Sequence, residues 1–239
     1  MHFTSQSLTD GFVERDFVLG DIPGILWTPE NPDGPTPLIL LGQPGGLDRM
    51  RPRLAARARS SAGFACATIE LPGSGGRPRL TDVDRARRDL WDAAEDGRPV
   101  GEIVERLIPP LVDAAVPEWQ AVLDALLDLP NIDGPVGLSG GVMAVAVRLA
   151  LVDPRIVAAT LFAGSYVPAA TFDEARRLTI PLHVLLQWDD AGNDRQMALD
   201  LFDAFGSAEK GLHANMGGHT GVPEYDGESA LRFFQRHLS

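Results

Sequence analysis

A serine lies between glycines at a point where a predicted strand gives way to a predicted helix. Residues 137–141 read G-x-S-x-G, with Ser139 at the centre. The apolar segment 132–138 is typical of a buried strand, and the apolar segment 142–151 is typical of a helix. Glycines on both sides leave room for a sharp turn that exposes the hydroxyl at a strained backbone position above the sheet. Ser139 is therefore predicted to be a nucleophile.

A serine hydroxyl attacks slowly unless a base accepts its proton, and the chain has five histidines. His219 lies in the glycine-containing loop 215–221, between a strand-like segment and the last predicted helix. Loops at strand ends commonly carry catalytic groups, so His219 is predicted to be the base. His2 and His237 lie at the termini, whereas His183 and His213 lie inside apolar strand patterns, where a structural role is expected.

The base needs a carboxylate that fixes its tautomer and stabilises its protonated form. Asp189, Asp190 and Asp194 all follow the apolar segment 182–187. Asp189 comes directly after Trp188, where the chain can still follow the strand. Asp194 suits the N-cap of the helix that comes next. Asp190 is therefore the preferred acid, with Asp189 and Asp194 as the alternatives.

A developing oxyanion needs backbone N–H donors close to the nucleophile. Gly140 follows the serine directly and is the first predicted donor. The second is expected from the loop 43–47, which follows another apolar segment. Pro44 has no N–H, so Gly45 is the first candidate in this loop and Gly46 the second. The alternative is that these glycines only turn the chain.

The elements that must position these residues alternate regularly along the chain. Five apolar segments are typical of buried strands: 38–42, 64–71, 132–138, 156–163 and 182–187. Helical patterns separate or follow them: 51–62, 142–151, 196–205 and 231–238. This order predicts an α/β fold with a mostly parallel, doubly wound sheet, in which ligands bind beyond the carboxyl ends of the strands. Residues 12–27 are expected to add an antiparallel hairpin at the edge.

One segment interrupts this alternation. Residues 80–117 carry charged helical patterns without a strand between them, so we expect a helical, cap-like insertion that covers the active site. A plain surface excursion is the alternative. Trp91 and Trp119 are expected either to line the site or only to pack against other side chains. The length of 239 residues suits one domain spanning residues 1–239.

Composition narrows the function classes. The chain has 21 basic and 33 acidic residues, for a net charge of -12, which disfavours nucleic acid and anionic membranes as partners. Residues 1–17 lack the apolar core of a secretory signal, and no apolar run has the length of a membrane span. A cytoplasmic location is expected. Cys66, the single cysteine, is predicted to be a buried strand residue with a structural role.

Together these residues resemble the α/β-hydrolase superfamily over nearly the whole chain. The resemblance rests on the loop 43–46, the motif 137–141, Asp190 and the pair Gly218 and His219. The chain order serine, aspartate, histidine is also the order of that superfamily. The compact size resembles the dienelactone-hydrolase-like members and the small serine esterases.

The resemblance implies a Ser-His-Asp triad that cleaves a small-molecule carboxylic ester or lactone through an acyl-enzyme, with no metal and no cofactor. Two positions depart from the pattern. Dienelactone hydrolases use a cysteine nucleophile where this chain has Ser139, and many members have a histidine where it has Gln43. An acyltransferase with the same triad is one alternative. A member of the fold that binds a ligand or guides a rearrangement without hydrolysis is another.

Overall fold

The computed structural model describes residues 1–9, 11–164 and 166–238. The strands are β1 (His2–Thr9), β2 (Phe12–Leu19), β3 (Ile22–Pro29), β4 (Thr36–Gly42), β5 (Ala65–Ile69), β6 (Ile132–Gly140), β7 (Ile156–Phe162), β8 (Leu182–Gln187) and β9 (Lys210–Asn215). The helices are α1 (Leu47–Ser60), α2 (Thr81–Glu95), α3 (Gly101–Leu127), α4 (Met143–Val152), α5 (Ala169–Arg177), α6 (Arg195–Ala204) and α7 (Glu224–His237).

All of these strands join one sheet in the order β1-β2-β3-β5-β4-β6-β7-β8-β9. The pairs from β5 to β9 along this order are parallel, whereas β1, β2 and β3 pair in antiparallel fashion and β3 pairs antiparallel with β5. The predicted mostly parallel sheet is confirmed. The predicted hairpin is present as β2 and β3, and β1 extends it at the edge.

Alternation of side chains divides the core into two layers. Leu38 and Leu40 of β4 belong to the larger apolar cluster, which contains buried residues of α2 to α6. Ile39 and Leu41 belong to the smaller cluster, which contains residues of α1 and α7. Because successive strand residues point to opposite faces, helices cover the sheet on both sides. Cys66 of β5 is fully buried in the smaller cluster, as predicted, and burial raises the pKa of its thiol to about 12.

The segment predicted as a helical insertion contains α2 and the start of α3. Helix α3 continues to Leu127, well past the predicted boundary, because buried apolar residues recur along its whole length. Trp119 of α3 is 2% exposed and packs in the core, whereas Trp91 of α2 is 66% exposed. None of the helices in the described residues is both long and apolar enough to cross a membrane.

Candidate active site

The carboxyl ends of three parallel strands bring the predicted site residues to one edge of the sheet. Ser139 is the penultimate residue of β6, Asp190 follows β8, and His219 lies in the loop between β9 and α7. This is the edge at which ligands bind in doubly wound sheets. The fold therefore gathers residues that are up to 80 positions apart in the chain, counted from Ser139 to His219.

His219 and Asp190 form a hydrogen-bonded pair. The imidazole Nδ1 lies 2.7 Å from Asp190 Oδ2. The aspartate side chain is 6% exposed and the histidine side chain 71% exposed, so the carboxylate is buried behind a ring that faces solvent. The second carboxylate oxygen accepts a hydrogen bond from the N–H of Gly192 at 3.0 Å, and the ring of Phe162 contacts the imidazole edge-on at 5.4 Å between centroids. A carboxylate held in this way can orient an imidazole for proton transfer.

The two neighbouring aspartates have different partners. Asp189 accepts hydrogen bonds from the N–H groups of Gly217 and Gly218, each with a contact at 2.9 Å, and these bonds lower the pKa of its carboxyl. It therefore fastens the loop that carries His219. Asp194 accepts a hydrogen bond from the N–H of Met197 at 3.1 Å and caps α6, as predicted.

Ser139 differs from the prediction for its backbone. It pairs in register with Leu41 and Thr160 as a regular strand residue. The left-handed backbone falls one residue later, at Gly140 (φ +67°) and Gly141 (φ +100°). The prediction that Ser139 itself takes the strained backbone position and is exposed above the sheet is therefore wrong. Because Ser139 shares the strand face of Leu41, its side chain points towards α1.

The hydroxyl of Ser139 has two hydrogen-bond partners on that face. Thr160 Oγ1 donates to Ser139 Oγ at 2.9 Å, and Arg57 Nη2 donates to it at 3.0 Å. Neither bond goes to His219. The structure thus brings Asp190 and His219 together and directs the serine hydroxyl to a different pair of side chains.

Arg57 of α1 contacts Ser139, and the sequence did not lead us to predict this contact. Its Nη1 donates to the carbonyl of Gly42 at 2.9 Å, and its Nη2 donates to the carbonyl and the hydroxyl of Ser139. Burial lowers the pKa of its guanidinium to about 10, which leaves it protonated at neutral pH. The sequence contained one indication of this contact. Arg57 lies three residues after Leu54 and next to Ala58, so a charged side chain falls close to the buried face of the helix.

The loop after β4 is organised by Gln43, which is 2% exposed. Its Nε2 donates to the carbonyl of Ile69 at 3.1 Å, and its Oε1 accepts the N–H of Gly45 at 2.6 Å. The donor predicted for the oxyanion therefore has an internal acceptor in this structure. The other predicted donor, Gly140, lies where the backbones of β4 and β6 approach closely: a Cβ on Gly42 would lie 2.4 Å from the carbonyl oxygen of Gly140.

No known protein-family profile matches this sequence, and no curated protein matches it. Solved structures do match. A PEG-bound cold-adapted esterase from an Arctic intertidal metagenomic library superposes with a TM-score of 0.73 at 24% identity, covering 100% of both chains. Acetyl xylan esterase 1 from Thermoanaerobacterium sp. gives 0.66 at 13% identity, covering 98% of this chain and 87% of that one. Dienelactone hydrolase from Anabaena variabilis gives 0.61 at 18%, covering 95% and 99%.

The chain has the α/β-hydrolase fold. At these identities the likeness establishes the architecture, which agrees with the resemblance drawn from the sequence. The role of each residue within this α/β-hydrolase fold has to be argued from the site itself.

A small cavity adjoins the end of β6 in this α/β-hydrolase fold. Its volume is about 10 Å³, close to that of one water. Apolar side chains and the glycine turn supply most of its lining, including Leu71, Trp119, Leu138, Gly140 and Gly141. Leu71, Trp119 and Leu138 belong to the larger apolar cluster, so this recess lies on the face of the sheet opposite to the side chain of Ser139.

Side chains that could hold a metal ion lie outside the pair of Asp190 and His219. One ring nitrogen each of His183 and His213 and one carboxylate oxygen of Asp226 all lie within 4.8 Å of one another. Burial, followed by the proximity of His213, lowers the pKa of His183 to about 4. His183 is therefore neutral at pH 7.

Proposed function

We propose that this protein is a serine hydrolase that cleaves small carboxylic esters or lactones, with Ser139 as nucleophile, His219 as base and Asp190 as the acid that orients it. The observation that carries the proposal is the contact of 2.7 Å between His219 Nδ1 and Asp190 Oδ2, located beyond the carboxyl ends of the strands. The names of the similar solved structures, esterases and a dienelactone hydrolase, support an ester-cleaving role.

The proposed reaction has two acyl-transfer steps. With Nδ1 engaged by Asp190, the free Nε2 of His219 accepts the proton of Ser139 as its oxygen attacks the carbonyl carbon. The proton then passes to the departing alcohol, leaving an acyl-enzyme. Water, activated by the same Nε2, releases the acid and restores the serine. The N–H of Gly140 supports the oxyanion.

This reaction requires the hydroxyl of Ser139 to leave Thr160 and Arg57. The contacts measure 2.9 and 3.0 Å. A neutral hydrogen bond such as that of Thr160 contributes about 1 kcal/mol, and one from a charged group such as Arg57 about 1.5–3 kcal/mol. We propose that substrate bound beyond the carboxyl end of β6 draws the hydroxyl of Ser139 away from Thr160 and Arg57. Arg57 remains bound to the two backbone carbonyls and holds the turn in place.

The test compares the wild type with Ser139→Ala and His219→Gln on p-nitrophenyl acetate and hexanoate. Each variant should lose at least about 100-fold in kcat, since the nucleophile or its base is absent. Ser207→Ala is the control, because the hydroxyl of Ser207 donates to the backbone carbonyl of Glu209 and does not contact Ser139, His219 or Asp190. Undiminished turnover by Ser139→Ala would contradict the nucleophile.

A second candidate is favoured by the hydrogen bonds of Ser139. A hydroxyl fixed by Thr160 and Arg57 rather than by His219 suits a protein that binds an ester or lactone in the same place without forming an acyl-enzyme. A fluorophosphonate probe separates the two, because it reacts with an activated serine. Mass spectrometry should find the adduct on Ser139 if the hydrolase proposal is right, and no adduct if the binding role is right.

A further inference from the structure

A cluster of two histidines and one aspartate lies beneath α7, apart from the catalytic pair. His183 belongs to β8, His213 to the neighbouring strand β9, and Asp226 to the first turn of α7. The two imidazole rings are 4.1 Å apart between centroids. His213 Nδ1 lies 3.0 Å from Asp226 Oδ1. Three separate elements therefore direct ligand-type side chains to one place.

Two of these side chains are buried, and one of them has a polar atom without a partner in the described part of the chain. His183 is 5% exposed, and its Nε2 is buried without a hydrogen-bond partner among the described residues. Asp226 is 0% exposed. The cationic group at ion-pair distance from it, within the described residues, is His213, which carries a charge only when protonated. Because Asp226 is fully buried and imidazoles are its neighbours, a divalent cation bound between them would supply the carboxylate with a counter-charge.

We propose that His183, His213 and Asp226 bind a Zn²⁺ ion that joins β8, β9 and α7. Imidazole nitrogen and carboxylate oxygen are donors that Zn²⁺ accepts at about 2.0–2.2 Å, which places the ligand atoms of a tetrahedron about 3.3 Å apart. The contact of 3.0 Å between His213 and Asp226 is near this spacing. The ligand atoms of the whole set lie within 4.8 Å of one another, so the widest separation has to shorten by up to about 1.5 Å to reach this spacing.

The surroundings of Asp226 fit a carboxylate that binds through one oxygen. Oδ1 faces His213, while Oδ2 accepts a hydrogen bond from the amide of Asn215. Asn215 is in turn fixed by the hydroxyl of Tyr225, which donates to its Oδ1 at 3.0 Å. Partners of this kind orient metal ligands in known sites. The side chain of His213 is 40% exposed, which gives the ion an entry path and leaves room for a water as fourth ligand.

The expected consequence is stabilisation and not catalysis. An ion that binds the folded chain and not the unfolded chain raises the melting temperature, by roughly 5 °C when its concentration is about 100 times Kd. The elements it joins carry the loop of His219 between them, so the ion also secures the framework of that loop. This inference does not depend on the proposed hydrolase activity.

The experiment uses the full chain, freed of metal by chelator and titrated with ZnCl₂. Calorimetry should show one site per chain, and thermal unfolding should show the rise in melting temperature. His183→Gln and His213→Gln should each weaken binding at least about 10-fold, as the loss of a ligand or its support typically does. His219→Gln is the matched control, since it removes the imidazole of the other histidine–aspartate pair and should leave the Zn²⁺ affinity unchanged.

The partly exposed position of His213 makes its variant the one expected to fold, so the outcome is readable even if His183→Gln does not fold. A Co²⁺ titration gives a second readout, because a visible absorption band that is present in the wild type and absent in His213→Gln reports ligation directly. Absence of saturable Zn²⁺ binding by the wild type overturns the proposal. So does binding that survives His213→Gln or disappears in His219→Gln.

Discussion

At the scale of single residues, the three aspartates after β8 have three different sets of partners. Asp190 contacts the imidazole of His219, Asp189 accepts N–H groups of the histidine loop, and Asp194 caps α6 at the N–H of Met197. Each carboxylate therefore acts on a different quantity: the tautomer of the base, the position of its loop, or the stability of a helix.

Replacement of each aspartate by asparagine should separate these roles. Asp190→Asn should lower kcat by at least about 100-fold, because an amide no longer stabilises the protonated imidazole. Asp189→Asn should have a smaller effect on kcat, since an amide oxygen still accepts the loop N–H groups. Asp194→Asn is the control, because asparagine caps helices about as well as aspartate. Ester turnover by the three purified variants checks this, and an equal loss for Asp189→Asn and Asp190→Asn would contradict the assignment of the acid.

At the scale of elements, Arg57 connects one helix with the ends of two strands. Its guanidinium, placed by α1, donates to Gly42 at the end of β4 and to Ser139 near the end of β6. The close approach of these strands permits this bridge, because a side chain on Gly42 would collide with the carbonyl of Gly140. The bridge fixes the turn from which the site is built.

Arg57→Gln should therefore weaken both the fold and the site. Loss of the charged donor leaves buried carbonyls with fewer partners, which costs roughly 1–3 kcal/mol in the free energy of unfolding. We expect kcat to fall with KM little changed, and Arg57→Lys to lie between Arg57→Gln and the wild type because it keeps the charge but not the forked geometry. Urea unfolding and ester kinetics check both effects. Arg53→Gln, on the exposed side of the same helix, is the control, and equal stability of the two glutamine variants would refute the bridge.

The elements were predictable from the sequence because apolar runs such as 182–187 have the same limits as β8. Strand order and loop position bring His219 next to the aspartates that follow β8, but they leave Asp189 and Asp194 open as alternatives to Asp190. The direction of the Ser139 side chain was not predictable, since it depends on whether the strand ends at residue 138 or continues to 140. A shift of one residue moves a side chain to the other face of a sheet. The partner on that face, Arg57, comes from an element 82 residues away.

At the scale of the whole molecule, one buried ion pair joins several parts of the larger layer. Asp153 follows α4 directly, and its side chain is 1% exposed. Arg155 donates to both of its carboxylate oxygens at 2.8 and 2.6 Å and reaches Asp124 of α3 with its other nitrogen. The turn between α4 and β7 is thereby tied to α3. The hydrogen bond from Arg155, more than any other contact, lowers the pKa of Asp153.

This lowered pKa predicts an acid-sensitive contribution to stability. In the unfolded chain the carboxyl of Asp153 has a pKa of about 3.9. In the folded chain its pKa is lower, so protonation favours unfolding. The contribution is complete above the unfolded pKa and is lost as the pH falls from about 5 through the folded pKa. Asp153→Asn lacks this contribution at all pH values, so urea unfolding at pH 7 should show it less stable than the wild type, with the difference shrinking towards pH 3.

Asp33→Asn, at an exposed position, should follow the wild type at every pH. A difference between Asp153→Asn and the wild type that stays constant from pH 7 to pH 3 would show that the pair does not titrate as the structure requires.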